Sequence, residues 1–185
     1  QREIVRRKHT LVCFETNTVL SGLLSVVKIP REMSYKKIAL IGISASGKST
    51  ASKKLANQTG LPVFGMDDYF WNENGEDIPE ADYLISHQEL LKNEEWIIEG
   101  YIDEKMSDRL RLADLILYLD YSGVRSALRL LKRETFKKFS PSFFWRVFTR
   151  GERPRIEAAI QEARPNNVYR FLSPKDFEKF LSKNF

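Results

Sequence analysis

The sequence predicts an α/β fold in which a parallel sheet lies between two layers of helices. Short apolar segments alternate along the chain with longer segments of helical periodicity, and this alternation is typical of βαβ crossovers. The short segments are nearly continuous in apolar residues, as expected for strands that are buried on both faces. With 185 residues and 42% apolar content, the chain is long enough for one domain with a core.

Five segments are predicted to be strands. They are residues 36–42, 61–65, 95–100, 114–120 and 167–171. The first reads KKIALIG and ends at a glycine, and the fourth reads DLILYLD and is almost entirely apolar. Because parallel neighbours cannot be joined by a tight turn, each pair needs a crossover, which the intervening segments supply.

Six segments are predicted to be helices. They are residues 48–59, 86–93, 104–113, 124–139, 154–163 and 174–183. Gly60 is suited to end the first helix, and Pro154 and Pro174 are suited to the first turns of the last two. The aromatic segment 139–148 is predicted to pack in the core or in a lid. The acidic, turn-rich segment 71–82 is predicted to be a loop.

The functional domain is expected to begin at Met33, just before the first strand, with residues 1–32 as an extension that has little bearing on function. Cys13 is the only cysteine, so no intramolecular disulfide is possible and a reducing cytoplasm is the expected compartment. No run of about 18 apolar residues is present, so no membrane-spanning helix is expected.

The net charge of +5 is unevenly distributed along the chain. Residues 33–120 carry 9 basic and 16 acidic side chains, whereas residues 121–185 carry 15 basic and 6 acidic ones. A basic C-terminal third can hold the polyphosphate of a nucleotide, or it can hold nucleic acid. We favour the polyphosphate, because the motif described next also requires cationic partners.

The segment GISASGKST begins at the end of the first strand and leads into the first helix. It satisfies the pattern G-x-x-x-x-G-K-[ST] at Gly42, Gly47, Lys48 and Ser49. The glycines let backbone N–H groups converge on phosphate oxygens, and the helix N-terminus adds positive potential. Lys48 is predicted to reach the β- and γ-phosphates of ATP, and the Ser49 hydroxyl is predicted to ligate Mg²⁺. The nucleotide-binding loop also includes Ser44, Ala45, Ser46 and Thr50.

Two classes of nucleotide-binding protein lack their signatures in this chain. No Asn-Lys-x-Asp is present to read a guanine base, and no Leu-Ser-Gly-Gly-Gln is present as in ABC-type ATPases. The segment DYSG at 120–123 is interpreted as a turn after the fourth strand. A small phosphotransferase is the class that remains.

Four blocks of the chain resemble the topology modulation (FlaR-like) family of adenylate-kinase-like P-loop proteins. They are MSYKKIALIGISASGKST, LPVFGMDDYFW, EWIIEGYIDEKMSDRLRLADLILYLD and the segment from RPRIEAAI to DFEKFL. The Asp-x-x-x-Trp of Asp67 and Trp71 and the Arg-Leu-x-x-Ala-Asp before the fourth strand are the more particular features. The resemblance covers about residues 34–183. It implies a five-stranded sheet of order 2-3-1-4-5, nucleotide binding and kinase chemistry, but it implies no acceptor.

Two carboxylates are predicted to act at the carboxyl ends of strands, where ligands bind in open α/β sheets. Asp67 follows the second strand and is predicted to orient or deprotonate the acceptor hydroxyl, or to hold Mg²⁺ through water. Its alternative role is a helix N-cap. Glu99 ends the third strand and is predicted to hold the Mg²⁺ shell, although the family more often has Asp there. Asp68 is expected to point elsewhere.

Several basic residues are candidates for phosphate contacts. Arg129 and Arg133 stand four apart on one predicted helix and resemble the paired lid arginines of adenylate-kinase-like enzymes, although a solvated basic face is the alternative. Arg153 and Arg155 are further lid candidates, and Arg109 is a candidate for an anionic acceptor. In this fold the loop after the fifth strand passes the adenine, which implicates Ser173 and Lys175. His87 is interpreted as incidental.

The sequence therefore predicts an ATP- and Mg²⁺-dependent kinase with a basic lid over residues 121–155 and an acceptor site over the acidic half. The acceptor is expected to be a small molecule such as a nucleoside or nucleotide. The alternative is a regulatory or nucleic-acid-binding module, affecting DNA topology, in which ATP sets the conformation. A kinase that acts on RNA ends would unite the two. The protein is expected to be a monomer or a homodimer.

Overall fold

The computed structural model of the protein describes residues 35–70, 78–100, 103, 105–132 and 141–185. Five short strands lie within them. They are β1 (Lys37–Gly42), β2 (Val63–Gly65), β3 (Trp96–Glu99), β4 (Leu115–Leu119) and β5 (Val168–Phe171). All neighbouring strands are parallel, and the sheet has the order β2-β3-β1-β4-β5. The predicted α/β class and strand order are confirmed.

Helices connect the strands and cover both faces of the sheet. They are α1 (Lys48–Thr59), α2 (Asp67–Phe70), α3 (Glu80–Leu91), α4 (Met106–Leu112), α5 (Gly123–Lys132), α6 (Pro141–Phe148), α7 (Arg153–Ala163) and α8 (Pro174–Asn184). None of the helices in the described part of the chain is long and apolar enough to cross a membrane.

One predicted boundary is wrong. The loop predicted over 71–82 ends earlier, because α3 begins at Glu80. Pro79 occupies the N-cap position, and Glu80 and Asp82 lie in the first turn, where acidic side chains interact favourably with the helix dipole. The acidic composition that suggested a loop is therefore also the signal of a helix start. Residues 71–77, including Trp71, lie outside the described residues.

The strands contribute side chains to two separate cores because successive residues point to opposite faces of the sheet. Ala39, Ile41 and Trp96 belong to the core on one face, together with residues of α3, α4 and α7. Ile38 and Leu40 belong to the core on the other face, together with residues of α1 and α8. Ile38 and Leu40 are fully buried, and each such side chain stabilises the fold by about 1.5–3 kcal/mol.

The Arg-Leu-x-x-Ala-Asp segment has a structural role. Leu110 is fully buried, and the Asp114 carboxylate accepts hydrogen bonds from the backbone N–H groups of Lys36 and Lys37, both at 2.9 Å. Asp114 thereby fastens the start of the central strand β1 to the start of β4. The segment thus helps to set the position of β1, and with it the position of the loop that follows β1.

Candidate active site

The loop after β1 has a backbone that requires glycine at two positions. A Cβ atom at Gly42 would lie 2.7 Å from the backbone oxygen of Leu119, so no side chain fits there. Gly47 has φ of 99°, and a Cβ atom there would lie 2.7 Å from Nη1 of Arg129. Between them, Ala45 is held in the left-handed region with φ of 59°, at a cost of roughly 1–2 kcal/mol. Such strain is typical of binding loops.

Helix α1 begins at this loop without a side-chain cap. Its N-cap is Gly47, and no acidic residue lies in its first turn. By contrast, the hydroxyl of Ser173 caps α8 by accepting a hydrogen bond from the backbone N–H of Asp176. A helix N-terminus leaves its first backbone N–H groups without intrahelical acceptors, and a bound anion can accept from them. The start of α1 is therefore suited to a phosphate group.

The side chain of Lys48 lies against the backbone at the start of the phosphate loop. Its Nζ donates to the backbone oxygens of Gly42 at 2.9 Å and of Ile43 at 3.1 Å. These bonds hold the ammonium group at the mouth of the loop, where it can exchange carbonyl oxygens for phosphate oxygens. The geometry is consistent with the role predicted for Lys48.

Glu99 lies beside the same loop, as its register in the sheet requires. It pairs with Leu40 of β1 on one side and with Gly65 of β2 on the other. Its side chain is buried, and the Ser49 hydroxyl and the Lys48 ammonium group lie near it. Burial raises the pKa of Glu99 above its ordinary value of 4.5, and the Ser49 hydroxyl and the Lys48 charge oppose this rise.

Both aspartates after β2 approach Glu99. Asp67 begins α2, and its Cγ lies 3.6 Å from the position that a Cβ at Gly100 would take. The expectation that Asp68 points elsewhere is wrong, because its Oδ2 lies 3.0 Å from the corresponding position at Gly65. The charges of both aspartates raise the pKa of Glu99 further. The short helix α2 turns both side chains back towards the sheet edge.

These oxygen donors fit Mg²⁺, which is bound in proteins mainly by carboxylates, hydroxyls, water and substrate phosphates. Ser49 and Glu99 are in contact, and Asp67 lies close by. Among the residues that the structure describes, no group of three or more His, Cys, Asp or Glu side chains forms a preformed metal cage. A divalent ion at Ser49 would therefore depend on phosphate oxygens for part of its shell.

The raised pKa of Glu99 predicts how the stability of the metal-free protein depends on pH. Between pH 4.5 and the raised pKa, the folded protein binds a proton that the unfolded chain has released. The contribution of Glu99 is therefore fully present below pH 4.5 and is lost as the pH rises through the folded pKa. We expect Glu99→Gln to lack this loss. Urea unfolding with a chelator present, across this pH range, measures the difference.

The variant to compare is Glu94→Gln, which removes an exposed carboxylate five positions earlier in the chain. Its free energy of unfolding should follow that of the wild type at every pH. Parallel pH profiles for Glu99→Gln and the wild type would show that burial does not perturb Glu99.

A cavity of about 500 Å³ opens on the other side of the phosphate loop. Its lining includes Gly47 and Thr50 near the loop, Tyr121 after β4, Arg129 of α5 and Pro174 at the start of α8. The volume lies within the range of small-molecule sites, roughly 300–1,000 Å³. Because the cavity adjoins the phosphate loop, a nucleoside attached to phosphates in that loop can enter it.

The residues predicted to contact the nucleotide differ in how close they lie to the phosphate loop and the cavity. Arg129 donates from Nη1 to the backbone oxygen of Ser46, and its guanidinium lies over the Tyr121 ring at 5.6 Å. Ser173 and Lys175 flank Pro174, which lines the cavity. The Ser173 hydroxyl forms hydrogen bonds with the carboxylate and the backbone N–H of Asp176. Arg133 lies outside the described residues, so its role stays a prediction.

Asp120, which the sequence analysis interpreted as part of a turn, is a buried carboxylate that three arginines contact. Its side chain is 1% exposed and follows β4 at the same edge of the sheet. Arg170 donates to it from Nε at 2.9 Å, and Arg150 and Arg153 approach its oxygens at 3.5 Å. Arg153 is thus turned towards Asp120 here, whereas Arg155 is exposed. Three of the basic side chains in the C-terminal third are directed inward.

Arg109 belongs to a buried polar cluster between α3 and α4. It donates to the carboxylate of Asp103 at 2.8 Å and lies 3.5 Å from the Tyr83 hydroxyl and 3.4 Å from Nε2 of His87. His87 is therefore not incidental, and burial lowers its pKa, with the Arg109 charge adding to this effect. The Arg109 charge is already balanced by Asp103, so its contact with an acceptor stays a prediction.

Glu152 is a site residue that sequence reasoning missed. It lies in the turn before α7, and its carboxylate accepts hydrogen bonds from the backbone N–H of Ser44 at 2.6 Å and from the Ser44 hydroxyl at 2.8 Å. The two residues are 108 positions apart. No local pattern pairs them, and the acidic residue within the basic segment GERPR was the only available signal.

Comparison with known proteins supports kinship with kinases over part of the chain. No family model matches it. A cytidylate kinase from Ureaplasma urealyticum serovar 10 (strain ATCC 33699 / Western) is 32% identical over 117 residues, covering 57% of this chain and 51% of that protein. The chain thus spans about half the length of the curated relative that it matches.

Two solved structures resemble the chain over most of its length. A shikimate kinase from Bacteroides thetaiotaomicron has a TM-score of 0.58 at 15% identity, covering 81% of this chain and 96% of that one. A deoxyadenosine kinase from M. mycoides with bound dATP has a TM-score of 0.52 at 18% identity, covering 80% of this chain and 98% of that one. At these identities the likeness shows the fold, and the chain has the α/β fold found in these P-loop kinases.

Proposed function

We propose that this protein is an ATP-dependent phosphotransferase that moves the γ-phosphate to a small-molecule acceptor. The observation that carries the proposal is the convergence of three features at one sheet edge. The glycine-shaped loop after β1 leads into the uncapped N-terminus of α1. Ser49 and Lys48 lie near the buried Glu99 beside this loop. Asp67 lies next to Gly100, within range of the same carboxylate.

In this proposal the triphosphate of ATP lies along the loop and the base lies in the adjoining cavity. The backbone N–H groups of residues 42–49 donate to phosphate oxygens, and Lys48 exchanges its carbonyl partners for them. Tyr121, Arg129 and Pro174 provide flat surfaces around the cavity. An aromatic ring and a guanidinium group both stack on a purine.

Ser49, Glu99 and Asp67 would hold Mg²⁺, directly or through water, against the phosphates. When bound, this ion supplies positive charge that offsets the charge developing on the transferred phosphoryl group. Glu99 must be ionised to contribute, and the neighbouring Lys48 favours its ionised form.

Where the acceptor is a hydroxyl group, that hydroxyl would lie near Asp67 in the chemical step. Its oxygen forms a bond to the γ-phosphorus while the bond from that phosphorus to the bridging oxygen breaks, which leaves ADP. The hydroxyl proton passes to the Asp67 carboxylate. Asp67 is exposed at the start of α2, so an acceptor can reach it from the acidic half of the chain. Arg129, which donates to the backbone oxygen of Ser46, would neutralise phosphate charge.

The kinases that resemble this chain guide the choice of acceptor. Their names include cytidylate, shikimate and deoxyadenosine kinases, which act on nucleotides, hydroxy acids and nucleosides. The direct test is a transfer screen with γ-labelled ATP over nucleosides, nucleotides, sugars, hydroxy acids and oligonucleotides. We expect label in one class of small molecule. Label released only as inorganic phosphate, with every acceptor present, would contradict phosphotransfer.

Asp67→Asn should leave ATP binding intact and slow transfer to the acceptor by about 10²-fold or more, because the amide cannot accept the hydroxyl proton. Single-turnover transfer to the acceptor found in the screen measures the rate, and calorimetry measures ATP binding. Asp68→Asn tests the neighbouring carboxylate, and Asp82→Asn, exposed on α3, is the matched surface control. An unchanged transfer rate in Asp67→Asn would remove Asp67 from the chemical step.

The inward pairing of basic side chains favours a small-molecule kinase over a nucleic-acid-binding module. Arg150, Arg153 and Arg170 all contact Asp120, which reduces the positive charge available to a nucleic acid backbone.

The proposal has three further parts. They are membership of the topology modulation family, dependence on Mg²⁺ and a cytoplasmic location.

A further inference from the structure

The carboxylate of Glu152 contacts the phosphate loop at Ser44. Both of its oxygens accept hydrogen bonds from Ser44, one from the backbone N–H at 2.6 Å and one from the hydroxyl at 2.8 Å. A carboxylate is planar and negative, and like a phosphate group it offers two oxygens to converging donors. Ser44 lies in the middle of the segment whose backbone N–H groups the proposed function assigns to ATP. The contact therefore uses donors that a phosphate would need.

The turn that carries Glu152 is fastened on both sides of that carboxylate. Arg150 and Arg153 each approach the buried Asp120 at 3.5 Å. Asp120 directly follows Leu119, which pairs with Gly42 at the start of the phosphate loop. Arg150 adopts a left-handed backbone with φ of 57°, which costs energy that the turn's contacts must offset. Two kinds of contact therefore hold the turn against the loop. The negative Glu152 bonds to Ser44, and the positive Arg150 and Arg153 pair with Asp120.

We propose that Glu152 is an intramolecular phosphate mimic, which holds the 150–153 turn closed on the nucleotide-free phosphate loop and competes with the entering triphosphate. This inference rests on the proposed function, because it assumes that the loop binds a triphosphate. ATP binding then requires the Glu152 carboxylate to leave Ser44. A negative phosphate placed near a retained carboxylate would be repelled, so the two states exclude each other.

Two substitutions separate the charge from the contact. Glu152→Gln keeps the size of the side chain and removes its charge, and Glu152→Ala removes both bonds to Ser44. The matched control is Glu162→Gln, an exposed position on the same helix α7, about 15 Å further along it. Glu162 contacts Ser107 and Arg111 rather than the phosphate loop. Thermal unfolding of each full-length variant checks that it folds.

The first readout needs no nucleotide. Hydrogen exchange of the Ser44 amide, measured in the ligand-free protein, should be faster in Glu152→Ala than in the wild type, and Glu162→Gln should match the wild type. The second readout is ATP affinity by calorimetry. Glu152→Gln and Glu152→Ala should both bind ATP at least about fivefold more tightly than the wild type, the lower limit of typical coupling between exclusive states.

The outcomes distinguish failure of this inference from failure of the proposed function. Unchanged exchange at Ser44 in Glu152→Ala, or faster exchange with unchanged ATP affinity, would overturn the inference while the proposed function stands. ATP uptake by Glu152→Ala with none by the wild type would be its strongest support. Absence of ATP binding in the wild type and in both Glu152 variants would overturn the proposed function and the competition with it.

Discussion

Lys48→Ala is expected to lower the rate of ATP turnover by about 10²-fold or more, the usual consequence of removing one preorganised charge-stabilising group. The ammonium group of Lys48 lies 2.9 Å from the backbone oxygen of Gly42, at the mouth of the loop. The other two lysines of α1, Lys53 and Lys54, are exposed further along the helix. Steady-state turnover with the acceptor identified by the screen measures the loss.

Lys53→Ala is the matched control for this prediction. It removes the same chemical group from the same helix at an exposed position, and turnover should stay within about twofold of the wild type, since exposed substitutions of this kind have small effects. Full turnover in Lys48→Ala would contradict the role of the loop in catalysis. An equal loss in both variants would indicate damage to α1 rather than loss of a phosphate contact.

Arg109→Met is expected to lower the free energy of unfolding by about 3–5 kcal/mol, because it leaves a buried carboxylate without its counter-charge. The side chains of Arg109 and Asp103 are 3% and 8% exposed, and they are 2.8 Å apart. Tyr83 also donates to Asp103, but a neutral hydroxyl cannot balance the charge. Urea unfolding monitored by circular dichroism gives the free energy.

Two further variants show whether the buried pair is the cause. Arg111→Met, two positions along α4, removes an exposed arginine whose partners Asp108 and Glu162 are also exposed, and it should cost less than about 1 kcal/mol. Replacing both members, Arg109→Met with Asp103→Leu, should recover much of the stability, because no charge stays buried. Equal losses for Arg109→Met and Arg111→Met would contradict the importance of burial.

The central strands β1, β3 and β4 were predictable because they are buried on both faces, whereas the edge strands β2 and β5 are largely exposed. A strand such as β4, Leu115–Leu119, must be apolar at every position, and this continuous pattern is visible without any knowledge of its neighbours. The longer helices were predictable from apolar residues that recur every three or four positions, but the four-residue helix α2 was not predicted. Their ends were less predictable, as at Glu80, because an acidic segment favours both a solvated loop and the first turn of a helix.

The phosphate loop was predictable because its chemistry is local. Gly42, Gly47, Lys48 and Ser49 lie within eight residues, and their spacing alone specifies a turn between a strand and a helix. The positions of Glu99 and Asp67 at the same sheet edge were also predictable, since each ends or follows a recognisable strand, whereas their roles stay predictions. The orientation of the Asp68 side chain towards Glu99 was not predictable, because the helix α2 that directs it there spans only four residues.

Contacts between distant segments account for what the sequence did not reveal. Glu152 reaches Ser44 across 108 positions, and Asp120 meets Arg170 across 50. Each residue by itself fits an ordinary surface role, so neither its burial nor its partner follows from its neighbours in sequence. Such pairs depend on how the segments around the sheet edge pack together, and only the three-dimensional arrangement shows them.

The central claim is that the backbone of residues 42–49 binds the triphosphate of ATP. Calorimetric titration of the full chain with ATP and Mg²⁺ tests it most directly, with inorganic tripolyphosphate as a competitor. We predict one-to-one binding that tripolyphosphate weakens, because both ligands need the same N–H donors. Absence of ATP binding in both the wild type and Glu152→Ala, or binding that tripolyphosphate leaves unchanged, would contradict the claim.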